Sequence, residues 1–213
     1  KGSDMYAHYY VIIKQLGDTY LGATEGTVTN AVALETGKGF GLKESQVVAI
    51  AKTGYVVTDG SSNIFINAAA EVAVGDKVTL KGLRSTYNGM PALSSCENIV
   101  VTAQATAQHT AQKDLSSSLS GYKATTIEYV AVKGATLVAN QIISTDGGKL
   151  TFLDAPESFN IAGLNAHYVD LYGYYLASDA SGNGPFVVLT AIQDKGENEN
   201  VKLPVKWSST ATT

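Results

Sequence analysis

Val78 and Leu80 alternate with Lys77, Thr79 and Lys81. That period of two belongs to a strand with one buried face and one wet face. Gly82 continues the inward row, where a side chain would otherwise point at the core. A strand glycine at such a place marks the tight bend or bulge that a small barrel needs. The same spacing recurs as Val169, Leu171 and Gly173. These two rows constrain the chain more than any other feature, because each predicts a sheet that curls on itself.

The surroundings of the first row fit five short strands. Val47–Ala51 is an apolar first strand. Tyr55–Thr58 and Ile64–Asn67 flank Asp59-Gly60-Ser61-Ser62-Asn63, a hairpin signal in which glycine tolerates positive φ. Val74-Gly75-Asp76-Lys77 is a turn, and Tyr87-Asn88-Gly89-Met90-Pro91 is another. Ile99–Thr102 reads as the closing strand. Near the C-terminus the order repeats more loosely. Asp146-Gly147-Gly148 lies between Ile142-Ile143 and Leu150–Leu153, and Phe186–Leu189 is the penultimate or closing strand. A shared order with roughly one offset predicts a divergent tandem duplication.

The segments GYVVTDGSSNIFIN (54–67), VGDKVTLKG (74–82) and STYNGMPAL (85–93) resemble OB-fold modules of uncharacterised exported proteins of Bacteroidetes-type bacteria. The resemblance implies a five-stranded barrel and a non-catalytic binding or scaffolding role outside the cell. That setting would be the periplasm or outer cell surface, with a lipid anchor on a removed N-terminus. The opening Lys1-Gly2-Ser3-Asp4 is unlike a natural start and reads as the product of trimming after an export signal.

The expected fold class is all-β. Two tandem OB-like barrels occupy 43–104 and 125–213, the second with the C-terminal tail. An N-terminal β extension (1–42) precedes them, and a linker (105–124) joins them. Within 1–42, Tyr6–Lys14, Thr27–Asn30 and Val32–Leu34 are strand-like, and Gly37–Gly41 is a flexible turn rather than a phosphate loop. The stretch Ala103–Gly121, rich in Ala, Gln, Thr and Ser and holding most of this linker, opens as a short helix with Ala103, Ala107 and Ala111 on one side. Val201–Trp207 suits a last edge strand, with Pro204 where no ladder bond is needed.

The 213 residues carry a net charge of −4, and only 16% are charged. A general nucleic-acid binder needs a basic stripe to displace counterions from phosphate, so this balance disfavours one. Lys77, Lys81 and Arg84 read as a solvated strand face. Cys96 is the sole cysteine, which excludes an internal disulfide and a thiolate zinc site and predicts a small buried hydrophobe. His8, His109 and His167 are scattered without metal-ligand spacing. Asp179–Gly184 resembles half a calcium loop, but Thr190 stands at the twelfth position, so a β-turn is expected. No catalytic constellation, cofactor motif or membrane-length apolar run is present.

OB-folds bind on the face of strands two and three and the loops around it. That places Tyr55 and Phe65 in the first unit, and Phe152 with Tyr172 or Tyr174 in the second, as candidate ligand-binding residues; Phe65 is equally placed for the core. Tyr87 joins them from a loop. Tyr172 and Tyr174 should point outward from the barrel, or else pack on the linker or neighbouring unit. Tyr175 would point inward unless the strand bulges. A glycan or a protein is the favoured partner. The alternatives are a single-stranded nucleic acid, and service as the accessory domain of a hydrolase.

Overall fold

The computed structural model describes residues 23–69 and 71–201, so Tyr6–Lys14, His8 and nearly all of Val201–Trp207 lie outside it. In chain order the elements are β1 (Thr24–Gly26), α1 (Val28–Ala33), β2 (Gly39–Ala51), β3 (Gly54–Thr58), β4 (Asn63–Ile66), β5 (Asp76–Tyr87) and β6 (Met90–Gln104). Then come β7 (Lys113–Asp114), β8 (Glu128–Val138), β9 (Gln141–Ile143), β10 (Lys149–Phe152), two 3₁₀ turns (Glu157–Phe159 and Ile161–Leu164), β11 (His167–Leu176) and β12 (Phe186–Glu197). Among the described residues no helix is long and apolar enough to cross a membrane.

The first sheet runs β2-β3-β4-β6-β5 and closes through β5 back onto β2. The second runs β8-β9-β10-β12-β11 and closes through β11 onto β8. In each, the third and fifth strands pair in parallel, at Phe65↔Ala92 and at Thr151↔Phe186. Both halves are therefore closed five-stranded Greek-key barrels of one topology, consistent with OB-like modules.

The alternation that predicted β5 is its observed pattern. Val78, Leu80 and Gly82 are buried, and Lys77, Thr79 and Lys81 are half-buried. Arg84 keeps the same phase and so turns inward rather than joining a solvated face; only 8% of it is exposed. Its guanidinium donates to the Val32 carbonyl at the end of α1 (3.4 Å) and to the Ser85 carbonyl. The two inward glycines sit at close approaches. A Cβ on Gly82 would lie 3.0 Å from Cys96 Sγ, and one on Gly173 would lie 2.6 Å from the Val188 carbonyl oxygen. The ladder slips register at both places, between Lys81 and Leu83 and between Tyr172 and Gly173. The missing side chains let the strands cross and the sheets close.

The repeat is larger than the barrels. A short strand adds in parallel to the first strand of each half, β1 on β2 (Thr24↔Phe40) and β7 on β8 (Lys113↔Val130). After it, a plug covers apolar residues. In the first half the plug is α1, where the sequence read strands. Thr27 N–H donates to Asn30 Oδ1 (3.0 Å) at its start, and Val28 and Ala31, three apart, are fully buried in the first core. In the second half the plug is a series of turns, in which Leu115 and Leu119 are buried in the second core. Each hairpin aspartate then holds its plug. Asp59 Oδ2 accepts the Thr29 N–H (2.8 Å) and Asp146 Oδ2 accepts the Ser120 N–H (2.8 Å).

Two boundaries shift accordingly. β2 starts at Gly39, so part of the presumed glycine turn is barrel strand. Residues 113–124 belong to the second repeat, and 105–112 alone link the halves. That link is not helical. It lacks an apolar stripe, and its backbone is taken by the first barrel: Ala105 N–H donates to Gly75 O (3.0 Å) and Gln108 N–H to Gln46 Oε1 (2.9 Å), while Gln46 Nε2 donates to Thr106 O (3.0 Å).

The halves pack together. Val48, Ala51, Val56, Phe65, Met90 and Ala92, on the first barrel, join one apolar cluster with the interior of the second. Asn63 Nδ2 donates to Ile127 O (2.9 Å) and Lys52 N–H to Asp154 O (3.2 Å) across the junction. The first barrel keeps its own interior, built on Phe40, Tyr55, Ile64, Ile66, Leu80 and Leu93.

Candidate functional site

Four of the six residues chosen from the sequence are buried. Tyr55 lies inside the first barrel at 1% exposure; burial raises its phenol well above the usual tyrosine range, and its hydroxyl has no partner among the described residues. Phe65 does face outward, yet it is fully covered at the junction, 4.5 Å from the half-buried Tyr87 ring. The expected binding face of the first barrel is thus spent on docking the second. Phe152 is core in the second barrel. Tyr172 is half-buried, whereas Tyr174 is fully buried. The extra residue at the slip is on β12, so β11 keeps its alternation: Tyr175 stays in the inward phase of Leu171 and Gly173, while Tyr174 stays outward beside Tyr129 and is covered there. Tyr174 OH bonds His109 Nδ1 (3.0 Å), and His109 stacks on Tyr129 at 4.4 Å, so the link lies over this strand.

Other sequence features settle into local roles. Asp179 Oδ1 accepts from Ser181 N–H and Asn183 N–H (2.9 Å each), the turn that was expected. His167 Nδ1 pairs with Asp194 (2.8 Å). Cys96 packs half-buried against the first core, and burial pushes its thiol up to about 11. Among the described residues no three His, Cys, Asp or Glu side chains gather to hold a metal.

One open concave surface lies on the second barrel. A cleft of about 560 Å³ lies between the plug, the hairpin around Gly147 and Gly148, and the loop joining β11 to β12. Tyr122, Lys123, Lys149, Tyr175, Ser178 and Pro185 are among the residues lining it. It thus includes the start of the third barrel strand and the connection of the fourth to the fifth, beside the region where five-stranded Greek-key barrels take ligands.

Tyr122 forms its half-buried wall and is held from several sides. Its hydroxyl accepts from Lys113 Nζ (2.8 Å) and donates to Glu128 Oε2. Lys113 Nζ also lies 4.6 Å from the ring centroid and 3.5 Å from Glu128. The Tyr175 ring meets Tyr122 edge-on (5.1 Å, 78°), and its hydroxyl donates to the Tyr122 carbonyl (3.1 Å). Burial, then the bond to Glu128, raises the Tyr122 phenol. Burial chiefly raises that of Tyr175. Both are neutral near pH 7. At the rim, Asp146 accepts from Ser144 Oγ, from Ser120 N–H and from Gly148 N–H (3.2 Å). These bonds, that from Ser144 foremost, hold its carboxyl below the usual range.

Sequence reasoning missed Tyr122, Lys123 and Lys149. The first two fell in the presumed linker, and Lys149 follows a hairpin read only as a turn. Aligning the plugs as well as the barrels would have placed all three around one hairpin. Comparison of the chain with family models, with curated proteins and with solved structures returns no match.

Proposed function

We propose that this chain is a non-catalytic carbohydrate-binding module, with the second barrel's cleft as its site and the first barrel as a docked support. One observation carries the reading: the immobilised Tyr122 ring, flanked by the Ser120 and Ser178 hydroxyls and the open backbone of Gly121 and Gly147. An apolar ring face beside small polar groups matches a sugar, whose C–H face stacks while its hydroxyls bond. A ring fixed before binding loses little entropy on contact. The lining holds no carboxylate, imidazole or thiol to move a proton. The exported, surface-displayed setting that the sequence resemblance implies belongs to the same proposal.

A glycan array followed by calorimetry tests it. Tyr122→Ala should weaken the best array hit about 3- to 10-fold, in line with one aromatic contact. Tyr172→Ala, outside the cleft, should leave binding unchanged. The reading fails if the array yields no ligand or if Tyr122→Ala binds like the parent. Fractionation of the source cells should recover the protein outside the cytoplasm.

A further inference from the structure

We infer that the cleft selects an anionic saccharide, with Lys123 and Lys149 as the groups that recognise its carboxylate or sulfate. The inference rests on the carbohydrate reading above and adds the charge of the sugar. Lys123 and Lys149 are exposed, and they are the charged residues that line the cleft. Three other clefts carry both signs: Glu44, Asp59 and Lys77 in one, Glu128 and Lys113 in the second, Glu25, Lys43 and Lys81 in the third.

The acids near the cleft are already engaged. Glu128 takes Lys113 and the Tyr122 hydroxyl. Asp146 takes Ser120, Ser144 and Gly148. Asp179 takes Ser181 and Asn183. Five other described lysines have ion-pair partners, Lys52 with Glu157, Lys77 with Glu44, Lys113 with Glu128, Lys133 with Asp114 and Lys195 with Asp170, and of the rest Lys43 and Lys81 share their cleft with Glu25. Among the described residues neither Lys123 nor Lys149 has an ion pair.

In a chain of net charge −4, two uncommitted ammonium groups in one concavity form a local positive spot on an acidic background. On such a background a polyanion is drawn only where cations gather without acids among them, as they do in this cleft. Two point charges beside a neutral aromatic wall match one or two acidic sugar units. They fall short of the extended basic track that a nucleic-acid backbone requires.

The test is calorimetry on the whole chain with four oligomers of similar length: a uronic-acid oligosaccharide, a sulfated oligosaccharide, a neutral glucan and a single-stranded oligodeoxynucleotide. The expected order places one of the two acidic saccharides at least tenfold above the neutral one, and the stronger arm distinguishes carboxylate from sulfate. The double substitution Lys123→Gln/Lys149→Gln should lose about that tenfold preference and its salt dependence, keep neutral-sugar affinity, and keep the parental melting temperature. Equal binding of neutral and acidic sugars, or an unaffected double variant, overturns the inference and leaves the carbohydrate reading standing. Binding of no saccharide overturns both. Tightest binding of the oligodeoxynucleotide also overturns both and favours a nucleic-acid role.

Discussion

Asp59 shows how one side chain ties a half together. Its Oδ1 accepts the Ser61 and Ser62 N–H groups, closing the hairpin, and its Oδ2 holds α1 through Thr29. Burial alone would raise its carboxyl, but the bonds from Ser62, Thr29 and Ser61 outweigh it and set the value at about 2. A carboxyl depressed on folding contributes stability that is present above the unfolded value, roughly 4, and lost as pH falls toward 2. Asp59→Asn should therefore lower stability at pH 7 by about 1 kcal/mol, as loss of a cap does. The gap from the parent should narrow between about pH 4 and 2. Urea melts across that range check it, and a gap that stays constant with pH counts against the carboxylate's role. Asp146 repeats the arrangement, with the Ser120 N–H in place of Thr29.

Among elements, β11 shows most clearly what could be read in advance. Its alternation announced Val169 and Leu171 as inward, and Gly173 announced a close crossing. The slip at Tyr172 was not legible, because a bulge depends on the partner strand and not on local composition. The slip left Tyr174 in its outward phase, where the link covers it, the second of the two placements read for it. The parallel additions of β1 and β7 were also hidden, since strands of two or three residues carry no periodicity. α1 was concealed by its Val and Thr content, which favours strands until a cap and an apolar pair three apart override it. The uninterrupted burial of β3 did leave a trace, because Gly-Tyr-Val-Val-Thr shows no polar alternation. Gly173→Ala should destabilise the second barrel by about 1–3 kcal/mol, since the new methyl meets the Val188 backbone and not a movable tip. Thermal unfolding checks this, and an unchanged melting temperature would show that the crossing is looser than described.

At the scale of the whole molecule, two barrels of one topology do different work. The first presents Val56, Phe65 and Met90 outward and has them covered; the second keeps its cleft open. The sequence announced two barrels but assigned a ligand face to each, because an apolar outward row looks the same whether a sugar or a neighbouring barrel lies over it. The shared cluster predicts joint melting. Phe65→Ala should cost about 3 kcal/mol or more, the usual toll for emptying a buried phenyl site. It should shift a single calorimetric transition rather than split it. Two well-separated transitions in the parent would show the barrels to be energetically independent.

The covered face on Val56, Phe65 and Met90 also has a history in time. The ribosome delivers this half before the half that hides it. At 5–20 residues per second, the remaining hundred or so residues take about 5–20 s to emerge. Throughout that interval a newborn barrel carries a greasy flank with nothing on it, so crowding by sister chains is most hazardous before the message has been fully read.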